Sequence, residues 1–347
     1  MFVQTKTFPF EPLVSMRRLE SLLRWDRSDI RCVAARAGSY YEPFDRRRHV
    51  DDKWRHIDNP TKALKELQSR IYRAILQTLP FGENIVGGIK GRSTRDNAAA
   101  HVNAPTLVTL DIKSCFPSVT DLAIYEVFRN TLEYSGEIAD LMTKLTTFQH
   151  RLPQGAPTSS VLANLVMLPL HIEVAKIAFV YGLDWSMYVD DIAFSGERAR
   201  EAIGPTIAAL KNIGHAVRAA KVKVMTAGEQ QRLTGIVINR KLSAGRECIG
   251  EIRASILELA NRHGDVFDFE VASMNGRISY VASVNAAQGA SLWRLASAVL
   301  PKATAHGTRA RRGEIRECHR MSRHRYRPVE RKIPARLPVR DRQRKLG

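Results

Sequence analysis

WSMYVDDIAFSG, residues 185–196, sets two adjacent carboxylates, Asp190 and Asp191, inside an otherwise apolar stretch. The flanking residues read as two short strands around an acidic turn. Hydrophobic packing alone would not place two charges there, because half-buried like charges repel each other and lose hydration. A third carboxylate, Asp111, ends another apolar run, TLVTLDI (106–112), read as a buried strand. A turn former and a strand-end cap would account for each singly. Taken together they ask for a cation. Oxygen ligands of this type suit magnesium, which keeps coordination positions open for phosphates.

Working outward, residues 61–79 carry apolar side chains at helical spacing, and 120–132 and 203–214 read as helices, the last closed by Gly214. Residues 158–180, after Pro157, are expected to form one long helix, RLTGIVINRKLS (232–243) a hairpin, and 250–263 and 288–300 amphipathic helices. Strands and hairpins interleaved with helices in this order predict an α+β fold. A chain of 347 residues also exceeds one compact core and is expected to divide into subdomains.

The net charge of +19 asks for a polyanionic partner, and nucleic acid is the commonest. The charge is uneven. Residues 301–347 hold 16 Lys/Arg against 4 Asp/Glu, leaving 38 against 31 for residues 1–300. This segment has little apolar periodicity and reads as a basic arm, flexible or ordered by RNA, with Arg311, Arg312, Arg323, Arg325 and Arg327 as candidate phosphate contacts. Arg46-Arg47-Arg48 form a second cluster. No apolar run is long enough to span a bilayer, and the N-terminus has no signal-peptide pattern, so no membrane partner is expected. Cys32, Cys115, Cys248 and Cys318 lie far apart without a CxxC pair. That argues against zinc or a disulfide framework and for a reducing, cytoplasmic setting. Cys318-His319 with His324 lack the further ligands a metal would need.

Three strings carry a family resemblance. YVDD (188–191) resembles the catalytic box of reverse transcriptases, LDIKSCFPSV (110–119) the first catalytic block of the bacterial members, and LPQGAPTSSVLANLVM (152–167) their template-and-nucleotide block. The resemblance runs from about residue 55 to about 300. It implies a right-hand polymerase fold: N-terminal segment and fingers over 1–105, a palm over 106–245 built on an RRM-like antiparallel sheet with helices (finger–palm elements around 140–160), a helical thumb over 246–300, and the basic arm over 301–347. It also implies two magnesium ions on Asp111, Asp190 and Asp191, which activate a primer hydroxyl and stabilise the leaving pyrophosphate. Phe116 stands where the family keeps an aromatic gate against the ribose 2′-hydroxyl; an ordinary core phenylalanine is the alternative. Gln154 and Gly155 match residues lining nucleotide and template. Arg55, in DKWRHI, matches a fingers arginine that holds the incoming triphosphate, a task suited to a planar guanidinium. Lys90 and Arg92, in GGIKGRS, face phosphate or form a solvated basic loop. Lys221, seven residues after Gly214 with Lys223 close by, stands where the family keeps a lysine that protonates pyrophosphate.

Two further strings resemble the retron-type members. NAAAH (97–101) is similar to their asparagine–alanine…histidine signature, and LTG (233–235) stands where they usually carry valine-threonine-glycine. Asn97 and His101 share one helical face, either for structural hydrogen bonds or for RNA recognition. No nuclease, integrase or ribonuclease H residue set follows the thumb, which also suits a retron enzyme. The resemblance implies reverse transcription of part of a cognate structured non-coding RNA, primed from the 2′-hydroxyl of an internal guanosine. Deoxynucleoside triphosphates are the substrates, a branched RNA–DNA the product, and an accessory effector protein a common partner in defence against phage. The alternatives are another bacterial reverse transcriptase (intron, CRISPR-associated or abortive-infection type) and a non-catalytic RNA-binding descendant.

Overall fold

The computed structural model describes residues 12–47, 54–261 and 268–299. Arg48, Cys318, His319, His324 and the arm arginines Arg311, Arg312, Arg323, Arg325 and Arg327 lie outside the described residues. In chain order the elements are α1 (Met16–Leu23), α2 (Arg27–Ala35), β1 (Phe44–Arg47), β2 (Trp54–Ile57), α3 (Lys62–Ala74), α4 (Thr94–Ala99), β3 (Thr106–Asp111), α5 (Cys115–Ser118), α6 (Asp121–Glu126), α7 (Gly136–Thr146), α8 (Ser159–Val166) and α9 (Leu168–Tyr181). Then come β4 (Asp184–Tyr188), β5 (Asp191–Ser195), α10 (Ile203–Asn212), β6 (Lys223–Thr226), β7 (Arg232–Leu233), β8 (Ile236–Val237), α11 (Arg246–Asn261), α12 (Asp268–Val284) and α13 (Ala286–Val299). This is the mixed α+β arrangement expected from the sequence.

The centre is an antiparallel sheet of order β4-β5-β3-β6. Its strands alternate between two buried faces. Val108, Leu110, Ile192 and Phe194 enter the main core with the helices, whereas Leu107 and Ala193 join Ala98, Leu233, Ile236, Ile238 and Val284 in a smaller cluster. Burial on both faces is why TLVTLDI reads as a continuous apolar run rather than an alternating one.

Several expectations need correction. Residues 158–180 form two helices, α8 and α9, bent by 62°. Pro169 cannot donate a backbone hydrogen bond and its ring collides with the preceding turn, so the axis breaks. Residues 120–132 begin as α6 and pass into a π turn, Val127–Thr131. The strand β6 was not legible, because KVMT is short and its neighbours are charged; β3 recruits it by pairing Val108 with Val224. Helices α1, α2 and α7 and the β1–β2 hairpin were likewise unread. No single helix among the described residues is long and apolar enough to cross a membrane.

The described residues divide into two compact units: those up to Ile249 together with Ser279–Gly289, and those within Gly250–Ile278 together with Ala290–Val299. Within the first unit, Asn285 Nδ2 donates to the Leu242 carbonyl at 2.8 Å and Gln288 Nε2 to Ser243 Oγ at 2.8 Å.

Helix α4 begins with a capping box, Ser93 and Asp96 bonding each other's backbone N–H. Its exit holds His101, 1% exposed, with Nδ1 2.6 Å from Ser195 Oγ and Nε2 2.8 Å from Ser186 Oγ. A neutral imidazole donates from one nitrogen and accepts at the other, and the two hydroxyls can complement either tautomer. Asn97 is equally buried. Neither side chain is open to solvent: His101 ties the exit of α4 to the sheet, while Asn97 is buried with its Oδ1 accepting no hydrogen bond. The other retron-like string packs on the same helix, where Thr234 Oγ1 donates to the Thr94 carbonyl at 3.3 Å and Leu233 shares the cluster of Ala98.

Burial pushes the His101 imidazole down to about 4. A base whose folded pKa lies below its unfolded value of about 6.5 takes up protons on unfolding, so its contribution is intact above pH 6.5 and is lost as pH falls towards 4. His101→Ala is expected to lower unfolding free energy by about 2–4 kcal/mol at pH 7.5 and to flatten the loss of stability between pH 6.5 and 4. Urea titrations across that pH range check both.

Candidate active site

β3 and β5 pair in a register that sets Asp111 directly opposite Asp191, and the Ile112 N–H donates to the Asp190 carbonyl at 2.8 Å. Directly opposed side chains in an antiparallel pair have Cβ atoms about 5 Å apart, and like charges there are destabilising. On that sheet face α4 covers the Ser195 end, while Asp111 and Asp191 lie at the opposite end. Asp111 is 5% exposed, and Asp190 and Asp191 are half-buried.

The electrostatics follow. Loss of hydration pushes the Asp190 carboxyl above the usual range, and Asp111 raises it further against partial relief from Lys221 and Arg55. Asp191 is pushed up to about 6 by burial and by the charges of Asp190 and Asp111. Lys221 Nζ sits 2.7 Å from Asp111 Oδ2. Arg218 Nε lies 3.4 Å from Asp111 Oδ1, yet that buried oxygen accepts no hydrogen bond. A buried carboxylate oxygen without a donor, beside two carboxyls held out of their normal range, is what a divalent cation would satisfy, so the donor set fits magnesium. Among the described residues no group of three or more carboxylate, histidine or cysteine side chains converges closely enough to hold a metal ion by itself.

The turn that carries the aspartates is held from behind. Val189 has φ +58°, in the left-handed region that a β-branched residue rarely occupies. Segment 84–87 lies along β4: Met187 N–H donates to Asn84 O at 2.8 Å, Val86 N–H to Met187 O at 2.8 Å, and Asn84 Nδ2 to Trp185 O at 2.7 Å. Asn164 Nδ2 on α8 anchors the Gly87 carbonyl at 2.8 Å. A Cβ on Gly87 would stand 2.5 Å from Val189 N and 2.7 Å from Tyr188 C, both backbone atoms. Sequence reasoning missed Asn84, Gly87 and Asn164; the doubled glycine in IVGG was the available signal.

The other expected residues distribute as follows. Lys221, rather than Lys223, contacts Asp111; Lys223 sits in β6 opposite Thr109. Phe116 is partly buried against the main core, in the short helix just past β3. Arg55 Nε approaches Gln154 Oε1 at 3.4 Å, joining two residues 99 positions apart. Gly155 is exposed, with φ +140°. Lys90 is exposed. Arg92 donates from its guanidinium to the carbonyls of Phe81, Gly82 and Ile85 and so closes that loop.

Two outcomes are expected. Asp190→Asn removes a repelling charge, so metal-free melting should not fall, whereas stabilisation by magnesium should shrink and primer extension drop about a thousandfold or more. Melting curves with and without magnesium, alongside an extension assay, check this. Gly87→Ala should displace the YVDD turn. Overpacking of that kind costs about 1–3 kcal/mol, and a shift of about 1 Å near reacting groups can cost about 100-fold. Extension should therefore fall roughly 10- to 100-fold while circular dichroism stays native.

Residues 47–238 match the family described as Reverse transcriptase (RNA-dependent DNA polymerase). The chain is 29% identical over 239 residues to the retron Ec86 reverse transcriptase of Escherichia coli, covering 68% of this chain and 73% of that one. It is 32% identical over 261 residues to the retron Mx65 enzyme of Myxococcus xanthus, covering 69% and 60%. Against the retron Se72 enzyme of Salmonella heidelberg it is 27% identical over 187 residues, covering 54% and 49%. The chain thus spans from about half to nearly three quarters of the length of these relatives. With the carboxylates of β3 and β5 opposed on one sheet face inside the matched region, the chain belongs to the reverse transcriptases, RNA-directed DNA polymerases.

Proposed function

We propose that this chain copies part of a cognate structured non-coding RNA into DNA, starting from the 2′-hydroxyl of an internal guanosine and leaving a branched RNA–DNA. The observation that carries the chemistry is the opposed pair Asp111–Asp191 with Asp190 beside it. In this reading the three carboxylates hold two magnesium ions. When bound, magnesium lowers the pKa of the attacking hydroxyl and neutralises charge on the transferring phosphate. The chain's own residues do the rest. Arg55 and Gln154 orient the triphosphate and sugar of the incoming deoxynucleotide, with Gly155 giving the template room and Lys90 adding positive charge. Phe116 excludes a 2′-hydroxyl. Lys221 Nζ exchanges its place on Asp111 for a pyrophosphate oxygen and gives it a proton. Residues 1–105 supply the fingers, 106–245 the palm, 246–300 the thumb. The basic arm, through Arg311, Arg312, Arg323, Arg325 and Arg327, follows RNA phosphates, where counterion release favours binding. An accessory effector and a role against phage in the cytoplasm complete the reading, supported by the likeness to retron enzymes.

Purifying the protein from its native locus and sequencing the bound nucleic acid tests this. One RNA species covalently joined to a DNA copy of itself is the expected result. Linear complementary DNA without a branch would assign the chain to another class of bacterial reverse transcriptase. Phe116→Ala is expected to raise ribonucleotide incorporation relative to deoxynucleotide roughly 10- to 100-fold. Paired single-nucleotide extension assays measure it; a fall in stability alone would leave Phe116 a core residue.

A further inference from the structure

Asp58 is fully buried, yet no step above uses it. Its carboxylate takes a two-pronged contact from Arg151, Nη1 to Oδ2 and Nη2 to Oδ1, each 3.2 Å. The Gln154 N–H donates to Oδ2 at 2.9 Å, the Asp58 N–H returns a bond to the Gln154 carbonyl at 2.8 Å, and His56 Nε2 lies 3.4 Å from Oδ1. A buried ion pair of this kind loses hydration on both partners and is weak grounds for stability by itself. It does define geometry, since a planar fork on a carboxylate admits one relative orientation.

The pair joins two pieces distant in sequence. Asp58 follows directly on β2, whose Arg55 points to Gln154. Arg151 leaves a two-residue turn in which Gln149 (φ +50°) and His150 (φ +61°) are both left-handed, closed by Phe148 N–H to Arg151 O at 2.8 Å and Arg151 N–H to Phe148 O at 3.1 Å. Such a turn is costly without glycine or asparagine, and outside contacts offset it: Phe148 stacks on Tyr41 at 4.2 Å and His150 Nδ1 meets Asp121 Oδ2 at 2.7 Å. The two pieces touch so closely that a Cβ on Gly155 would come within 2.9 Å of the Asp58 carbonyl.

We propose that Asp58 is a positioning residue for nucleotide binding. Through Arg151 and the Gln154 amide it sets the spacing between Arg55 and Gln154, so that both meet an incoming deoxynucleotide as one preformed surface. The inference rests on the reading of Arg55 and Gln154 as nucleotide-facing. Preorganisation of this sort acts on ligand affinity, because side chains that must first be ordered bind more weakly.

Single-turnover primer extension over a range of deoxynucleotide concentrations tests it in the full-length protein, for Asp58→Asn, Arg151→Lys, Arg55→Ala and Gln154→Ala. Melting curves and template–primer affinity are measured for each variant. Arg151→Lys keeps the charge and loses the fork. It is expected to raise the apparent nucleotide Kd about 10-fold while the maximal rate and template–primer affinity change less than about 2-fold. Asp58→Asn should match or exceed it. If that variant melts below assay temperature, Arg151→Lys decides alone. Should Arg55→Ala and Gln154→Ala weaken nucleotide binding while Arg151→Lys does not, or lowers only the active fraction, Asp58 is structural and the inference is overturned. Should Arg55→Ala and Gln154→Ala leave nucleotide affinity unchanged, the nucleotide-facing reading fails, and the inference with it.

Discussion

Asp111 and Asp191 face each other across one rung of an antiparallel ladder, a placement that folding opposes and phosphoryl transfer requires. Much of the surrounding structure can be understood as the means of keeping them there. Leu107, Val108 and Leu110 on β3 and Ile192, Ala193 and Phe194 on β5 are buried on both sheet faces. A slip of one residue would drive the carboxylates into the main core and its apolar residues outward, so the register is over-determined. The strained turn at Val189 is held by the same logic: segment 84–87 hydrogen-bonds the backbone of β4, and Gly87 leaves no room for the turn to relax towards it.

Charge is managed by placement rather than by quantity. The chain carries +19, yet the cations at the carboxylates are few and specific: Lys221 on Asp111, Arg218 just beyond hydrogen-bonding geometry, Arg55 offsetting part of the rise at Asp190, and Lys223 part of the rise at Asp191. An exposed lysine on a buried carboxylate is an exchangeable partner, since its other side is already hydrated. Asp58 is the contrasting case. Its partner is an arginine fork, its oxygens also take a backbone N–H, and burial is complete, as suits a fixed joint rather than a site of exchange.

The two strings that resemble retron members form one packed unit. Asn97 is buried, His101 ties β4 to β5 through Ser186 and Ser195, and Thr234 of the LTG turn bonds α4. A recognition motif in sequence is here a brace in structure. RNA contact from this region would have to come from the exposed residues the brace carries, such as Arg95 and Ala99.

The sequence by itself determined the chemistry and the fold class. Charges inside apolar runs are so unfavourable that WSMYVDDIAFSG and TLVTLDI mark the site, and their alternation with helical segments announces an α+β fold. It also determined that α10 stops before Gly214, because that signal is local. What only tertiary structure decided are the relations between distant positions: that Lys221 and not Lys223 meets Asp111, that Arg92 is consumed by carbonyls while Arg55 reaches Gln154, that His101 is buried, and that Asp58, Gly87 and Asn164 matter at all. The physical reason is range. Capping, turn chemistry and hydrophobic period act over a few residues and are written in order along the chain. A buried polar group is justified only by a partner that folding brings from 77 or 93 residues away, and no local pattern records that partner.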